Sequence, residues 1–199
     1  TRFSQIDWRI IEISDDPMAD VSQVCDVADG EIGELMVRGP VVTDCYVTRV
    51  EANADHKVVD GDSFWHRMGD VGYFDDQQRF WFCGRKGHPV RTADGVLFTV
   101  PCEAIVNTNP SVYRSALVGI GKPDAESPAM IVEPLVDCWP QSQAEKANLV
   151  EEIKSLMAAH PKTKNIQHVL LRQKLPVDIR HNSKIFREQL RPWAEKRLG

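Results

Sequence analysis

The strings Phe64-Trp-His-Arg-Met-Gly-Asp70, Gly72-Tyr-Phe-Asp75 and Phe82-Cys-Gly-Arg85 decide how this chain reads. Val71–Phe74 and Arg79–Cys83 are short apolar runs of strand length, and Phe74-Asp-Asp-Gln-Gln-Arg79 between them predicts a hairpin turn, although it lacks the expected Gly. Gly69-Asp70 reads locally as a turn leading into the first strand. Upstream, the segments Trp8–Ile13, Glu34–Arg38 and Lys57–Val59 add further short strands, separated by Gly, Pro and Asp clusters, with a polar loop over Val21–Gly30. That spacing predicts a β-rich, barrel-like or sandwich-like subdomain over residues 1–85.

Beyond Gly84-Arg-Lys-Gly-His88 the pattern changes. Thr92-Ala-Asp-Gly95 predicts a second hairpin, and Pro101 suits the first turn of a short helix to about Asn107. Tyr113–Ile120, Met130–Leu135 and Gln167–Leu171 read as strands. In Ser142–Ala159 the residues Leu149, Val150, Ile153, Leu156 and Met157 share one helical face. Ser183–Arg197 is a closing amphipathic helix. Residues 86–199 therefore predict a small α+β domain, an antiparallel sheet flanked by helices, and the fold class of the whole is mixed.

The net charge of −5 and the absence of a Lys/Arg-rich run argue against nucleic acid as a partner. Five widely spaced cysteines without a Cys-x-x-Cys pair fit neither a disulfide framework nor a zinc site, and suit a cytoplasmic protein. No apolar run approaches the length of a membrane span. The chain opens Thr-Arg-Phe-Ser and reads as strand by Trp8, so it is expected to be part of a longer polypeptide.

Three blocks, in this order, resemble the adenylate-forming superfamily of acyl-CoA synthetases, luciferases and nonribosomal-peptide adenylation domains. Gly30-Glu-Ile-Gly-Glu-Leu35 with Val37-Arg-Gly-Pro40 and Tyr46 is similar to a stretch in the last subdomain of the family's large N-terminal domain. The opening strings are similar to the family's nucleotide block. The resemblance implies that Asp70 accepts hydrogen bonds from both ribose hydroxyls and that Arg85 reaches the ribose or phosphate. A carboxylate suits a diol because it offers lone pairs to two donors, and a fixed, forked guanidinium suits a nucleotide. Leu175-Pro176 followed by Asn182-Ser-Lys184-Ile-Phe-Arg187 resembles the terminal motif whose Lys approaches the substrate carboxylate and the α-phosphate. Lys184 is thereby implied as the catalytic cation, because two anions must meet and charge moves onto pyrophosphate.

The family's small C-terminal domain swings between two poses about a pivot that falls here on Gly87, where relatives carry Asp or Lys. The segment around Gly95 resembles the one that lines the pantetheine tunnel in the second half-reaction. Met68 stands in place of a usual Thr and Ser183 in place of a usual Gly. Asp75 and Asp76 suit a hydrated turn better than a metal site, and the six histidines form no ligand pair.

Phe64-Trp-His-Arg-Met-Gly-Asp70, Trp81-Phe-Cys-Gly-Arg-Lys86 and the run Pro176–Arg187 resemble one branch in particular, the β-lactone synthetases of bacterial long-chain olefin biosynthesis. The resemblance implies ATP-dependent activation of a long-chain 2-alkyl-3-hydroxy acid as an acyl-AMP, which closes to a β-lactone with release of AMP. It implies ATP and Mg²⁺ as cofactors, with the metal ligands mostly outside this chain. The implied partners are a missing N-terminal domain and, further off, other olefin-pathway enzymes. A fatty acyl-CoA synthetase, which would add CoA, is the alternative, and a non-catalytic interaction module a third. By itself the chain is expected to be inactive.

Overall fold

The computed structural model describes residues 5–43, 45, 52–178, 180 and 184–199. Tyr46, Asn182 and Ser183, singled out above, lie outside them. The chain divides into two compact units, Thr1–Gly87 and His88–Gly199, where the sequence reading placed its division between residues 85 and 86.

The first unit contains β1 (Asp7–Ile11), β2 (Gly33–Arg38), α1 (Ala52–His56), β3 (Lys57–Asp60), β4 (Ser63–Phe74) and β5 (Phe80–Arg85). All strand pairings are antiparallel. β2 runs along one edge of β4, and β1 lies outside β2. The other edge of β4 is shared: β3 pairs with residues 63–66 and β5 with residues 70–74. Two strands on one edge extend the sheet without carrying it round, and among the described residues no pairing closes it into the expected barrel. Ile11, Met36, Val58 and Trp65, with Met18, form the core. Burying each contributes about 1.5–3 kcal/mol.

The hairpin turn forms without Gly because Gln78 takes the left-handed conformation (φ 59°) and Asp75 bonds the turn itself. Asp75 Oδ1 accepts from the backbone N–H of Gln77 and Arg79, at 3.0 and 2.9 Å.

The second unit contains β6 (Val90–Thr92) paired with β7 (Gly95–Leu97), then α2 (Thr99–Val106), β8 (Val112–Ile120), β9 (Ser127–Pro134), α3 (Gln143–Ala158), β10 (His168–Leu171) and α4 (Arg187–Leu198). The three-stranded sheet has the order β10-β9-β8. Strand alternation sends successive side chains to opposite faces. Leu117, Met130 and Val132 pack with Leu149, Ile153 and Met157 of α3, while Ala116, Val118, Ala129 and Ile131 pack with Leu190 and Ala194 of α4.

β8 and β9 are antiparallel, but β10 runs parallel to β9, which corrects the expectation of an all-antiparallel sheet. Between them α3 returns the chain to the starting end of β9, the connection that parallel neighbours require. Ser142 caps α3 by accepting from Glu145 N–H.

Candidate functional site

Asp70 and Arg85 face one another across the β4–β5 ladder. An Arg85 Nη1 N–H donates to Asp70 Oδ1 at 2.5 Å and to the Met68 carbonyl at 3.1 Å. The position of Asp70 depends on an irregularity in β4. Met36 pairs with Arg67 and Glu34 with Val71, so two steps along β2 oppose four along β4, and the two extra residues form a bulge at 68–70. Such a bulge re-aims side chains without ending the strand. Gly69 makes it possible, with φ +66° and open space where a Cβ would stand.

Among the described residues Asp70 Oδ2 has no hydrogen-bond partner, and Arg85, 56% exposed in its side chain, spends only Nη1. The pair offers an acceptor and donors together, which fits a ribose diol. An ion pair this exposed contributes at most about 1 kcal/mol, so a ligand can rearrange it at little cost.

Close by along the same strands lies a cluster that the sequence reading left without a role. Arg67 and Glu34 are almost completely buried, and Arg67 Nη2 donates to Glu34 Oε2 at 2.7 Å. Arg67 also donates to the carbonyls of Asp16 (2.8 Å) and Ser14, and the Lys86 ammonium donates to Ser14 O at 2.9 Å and lies 3.9 Å from Glu34. Glu34, Arg67 and Lys86 lie in three different motif strings of this unit. A signal was present: Arg67 shares its strand face with buried Trp65, two residues earlier, so an arginine stood in an inward phase.

In the second unit Lys184 is exposed, one residue before an isolated bridge. Val177 and Ile185 form an isolated bridge, Asp178 N–H donates to the Lys184 carbonyl at 2.9 Å, and Phe186 N–H donates to Pro176 O. Ile185 is buried in the core beside α4. Three residues past Lys184, Arg187 donates to Glu103 Oε1, and the Leu117 N–H donates to the same oxygen at 2.8 Å. Burial pushes the Glu103 carboxyl up, and Arg187 and the Leu117 N–H offset that only in part. Burial likewise pushes the Cys102 thiol up to about 11.

Gly87, the last residue of its unit, has no left-handed φ and open space around it, so this pose does not itself require glycine there. Gly95 does adopt a glycine-favouring φ of +132°, at the start of β7, where its carbonyl accepts from Thr92 Oγ1. Asp75 is spent on its turn and on Trp81, whose Nε1–H donates to Oδ2 at 2.8 Å. The Trp81 indole, with the N–H groups of Arg79 and Gln77, holds the Asp75 carboxyl well below the usual carboxylate range. Among the described residues no group of three His, Cys, Asp or Glu could hold a metal ion, and no Mg²⁺ ligand is assigned here. No described helix is long and apolar enough to cross a membrane.

The sequence matches no protein-family model. It is 46% identical over 195 residues to an olefin β-lactone synthetase of Stenotrophomonas maltophilia, and 45% identical over 193 residues to an olefin β-lactone synthetase of Xanthomonas campestris. These matches take in 96% and 94% of this chain but 34% of each relative, so the chain spans about a third of their length. Among solved structures it resembles the anthranilate CoA ligase AuaEII in complex with anthranoyl-AMP, with a TM-score of 0.73 and 19% identity over 98% of this chain and 34% of that one. At that identity the likeness speaks for the fold.

Proposed function

The chain belongs to the adenylate-forming superfamily of ligases, and from that premise we propose that it is the C-terminal part of an olefin β-lactone synthetase. The observation that carries the proposal is the free acceptor of Asp70 beside the free donors of Arg85, on the bulge of a chain 46% identical to such an enzyme. In this reading residues 1–85 close the large nucleotide-binding domain and residues 86–199 are the mobile C-terminal domain, pivoting at Gly87. ATP and Mg²⁺ are the reaction's nucleotide and metal. Further groups that bind them belong to the rest of the polypeptide.

Asp70 takes the ribose hydroxyls, and Arg85 orients Asp70 while offering its remaining N–H donors to the nucleotide. Lys184 brings a positive charge to the substrate carboxylate as it attacks the α-phosphorus. The acyl–phosphate bond forms, and the bond to pyrophosphate breaks. The ammonium offsets charge gathering on the attacked phosphate and the leaving group. In the second step the substrate's own 3-hydroxyl attacks the acyl carbon, its proton is lost, and AMP leaves. An internal nucleophile gains the effective concentration of an intramolecular reaction, so no external thiol is needed. Gly95, implied by the resemblance as part of the second-half-reaction segment, keeps that role in this reading.

The test uses the full-length parent with ATP, Mg²⁺ and a long-chain 2-alkyl-3-hydroxy acid, without CoA, and follows the product by mass spectrometry and proton NMR. The expected product is lighter than the acid by one water, shows four-membered-ring protons, and is missing with Lys184→Ala. A thioester formed only when CoA is supplied would instead make the parent an acyl-CoA ligase.

A further inference from the structure

Outside the candidate site, the second unit carries an open cleft of about 760 Å³ between the start of α3, the end of β10 and the last turns of α4. Four cations line it, Lys146, Arg172, Lys174 and Arg197, and no carboxylate does. In a chain of net charge −5 this is a local reversal of sign. The other charged contacts of the unit are arranged differently. Arg91, Arg114, Arg180, Arg187 and Arg191 each have a carboxylate within 4 Å, whereas among the described residues none of the four cleft cations does.

The two cleft arginines are held by an indole in place of a carboxylate. The guanidinium carbons of Arg172 and Arg197 lie 4.9 and 4.0 Å from the centre of the Trp193 ring. This contact leaves the charge of both forks uncompensated among the described residues, and Arg197 spends one Nη1–H on the Trp193 carbonyl at 3.4 Å. Arg172 gives Nε–H to the Lys174 carbonyl at 3.1 Å, and its Nη1 is buried without a hydrogen-bond partner. Trp139, half-buried among the lining residues, adds an apolar surface.

We propose that this cleft is a binding site for a small polyphosphate-bearing ligand. Phosphate oxygens suit a guanidinium fork, and the two lysines supply point charges at the rim. The volume falls in the range of small-molecule sites. The proposal is independent of the adenylation reading, because none of its residues belongs to the motifs that carry that reading.

The test titrates sodium pyrophosphate, at constant ionic strength, into the ¹⁵N-labelled 199-residue chain and reads the five indole N–H signals. Saturable shifts are expected at Trp139 and Trp193, with a dissociation constant on the order of 1 mM or tighter. Trp8, Trp65 and Trp81 should stay in place. Lys146→Gln with Lys174→Gln, both exposed and free of ion pairs, should leave the fold intact and weaken binding about tenfold. Arg172→Gln with Arg197→Gln should abolish it. Shifts that track sodium chloride alone, or that spread equally over all five indoles, would overturn the proposal. So would shifts at Trp139 and Trp193 with a tetraglutamate peptide but not with pyrophosphate, which would make the cleft a docking surface for an acidic protein segment.

Discussion

Asp70 and Lys184 are supported in opposite ways. Asp70 stands in the central strand of its sheet, with β2 on one side, β5 on the other, and the buried Glu34–Arg67–Lys86 cluster nearby. Lys184 stands exposed beside residues tied down by one bridge, by Ile185 in the core and by Arg187 on Glu103. The first arrangement holds a carboxylate in one geometry, as the proposed ribose contact would need. The second leaves a long cation free to be delivered while its backbone stays anchored. Precision comes from the ladder in the first unit, and reach from the side chain in the second.

The comparison breaks most visibly if the buried cluster is dismantled. Arg67→Met leaves the buried Glu34 without its hydrogen-bonded guanidinium, with only the Lys86 ammonium 3.9 Å away, and should cost about 3 kcal/mol. Chemical denaturation followed by the amide signals of each unit should show the loss in residues 1–87, with the 88–199 signals little changed. A smaller effect sharpens the role of the bulge. Gly69→Ala meets no obstacle but must hold a left-handed φ, which costs about 1–2 kcal/mol. The same substitution should also loosen the Asp70–Arg85 pair, seen as a shifted Arg85 side-chain resonance.

A pH effect comes next. Because the Asp75 carboxyl is held below its ordinary value, its contribution is present above pH 4 or so and is lost as pH falls toward the lowered value. Asp75→Asn should therefore flatten the acid limb of a stability–pH curve for the first unit while leaving the second unit's curve alone. The smallest effect concerns thiols. Cys102, buried and with its pKa raised to about 11, should resist alkylation at neutral pH under conditions in which exposed Cys25 and Cys45 react. Mass spectrometry of the modified chain reads this directly.

Much of the second unit was legible because its signals are periodic. The shared face of Leu149, Ile153 and Met157 marked α3 to within a residue at each end, and the apolar runs gave β8 and β9. Pairing direction was not legible. No residue in Gln167–Leu171 says which way β10 runs beside β9; the intervening helix decides it. In the first unit, Gly69-Asp70 read as a turn, whereas the strand runs on from Ser63 through a bulge. A glycine interrupts the strand pattern in either case, and only the neighbouring strand tells a bulge from a turn. Asp70 and Arg85 were singled out through motif and spacing, and the structure sets them facing one another. Glu34, Arg67 and Lys86 were not, because three charges on separate strands become one cluster only after the sheet pairs.

The most direct test of the account separates binding from chemistry in the full-length parent. AMP affinity by calorimetry and acyl-AMP formation in a single turnover would be measured for the wild type, Asp70→Ala and Lys184→Ala. Asp70→Ala should weaken AMP binding about ten- to a hundredfold, the worth of hydrogen bonds to a charged group. Lys184→Ala should leave AMP affinity nearly unchanged and slow adenylation by roughly a hundred- to a thousandfold. Wild-type AMP affinity in Asp70→Ala, or wild-type adenylation in Lys184→Ala, would contradict the account.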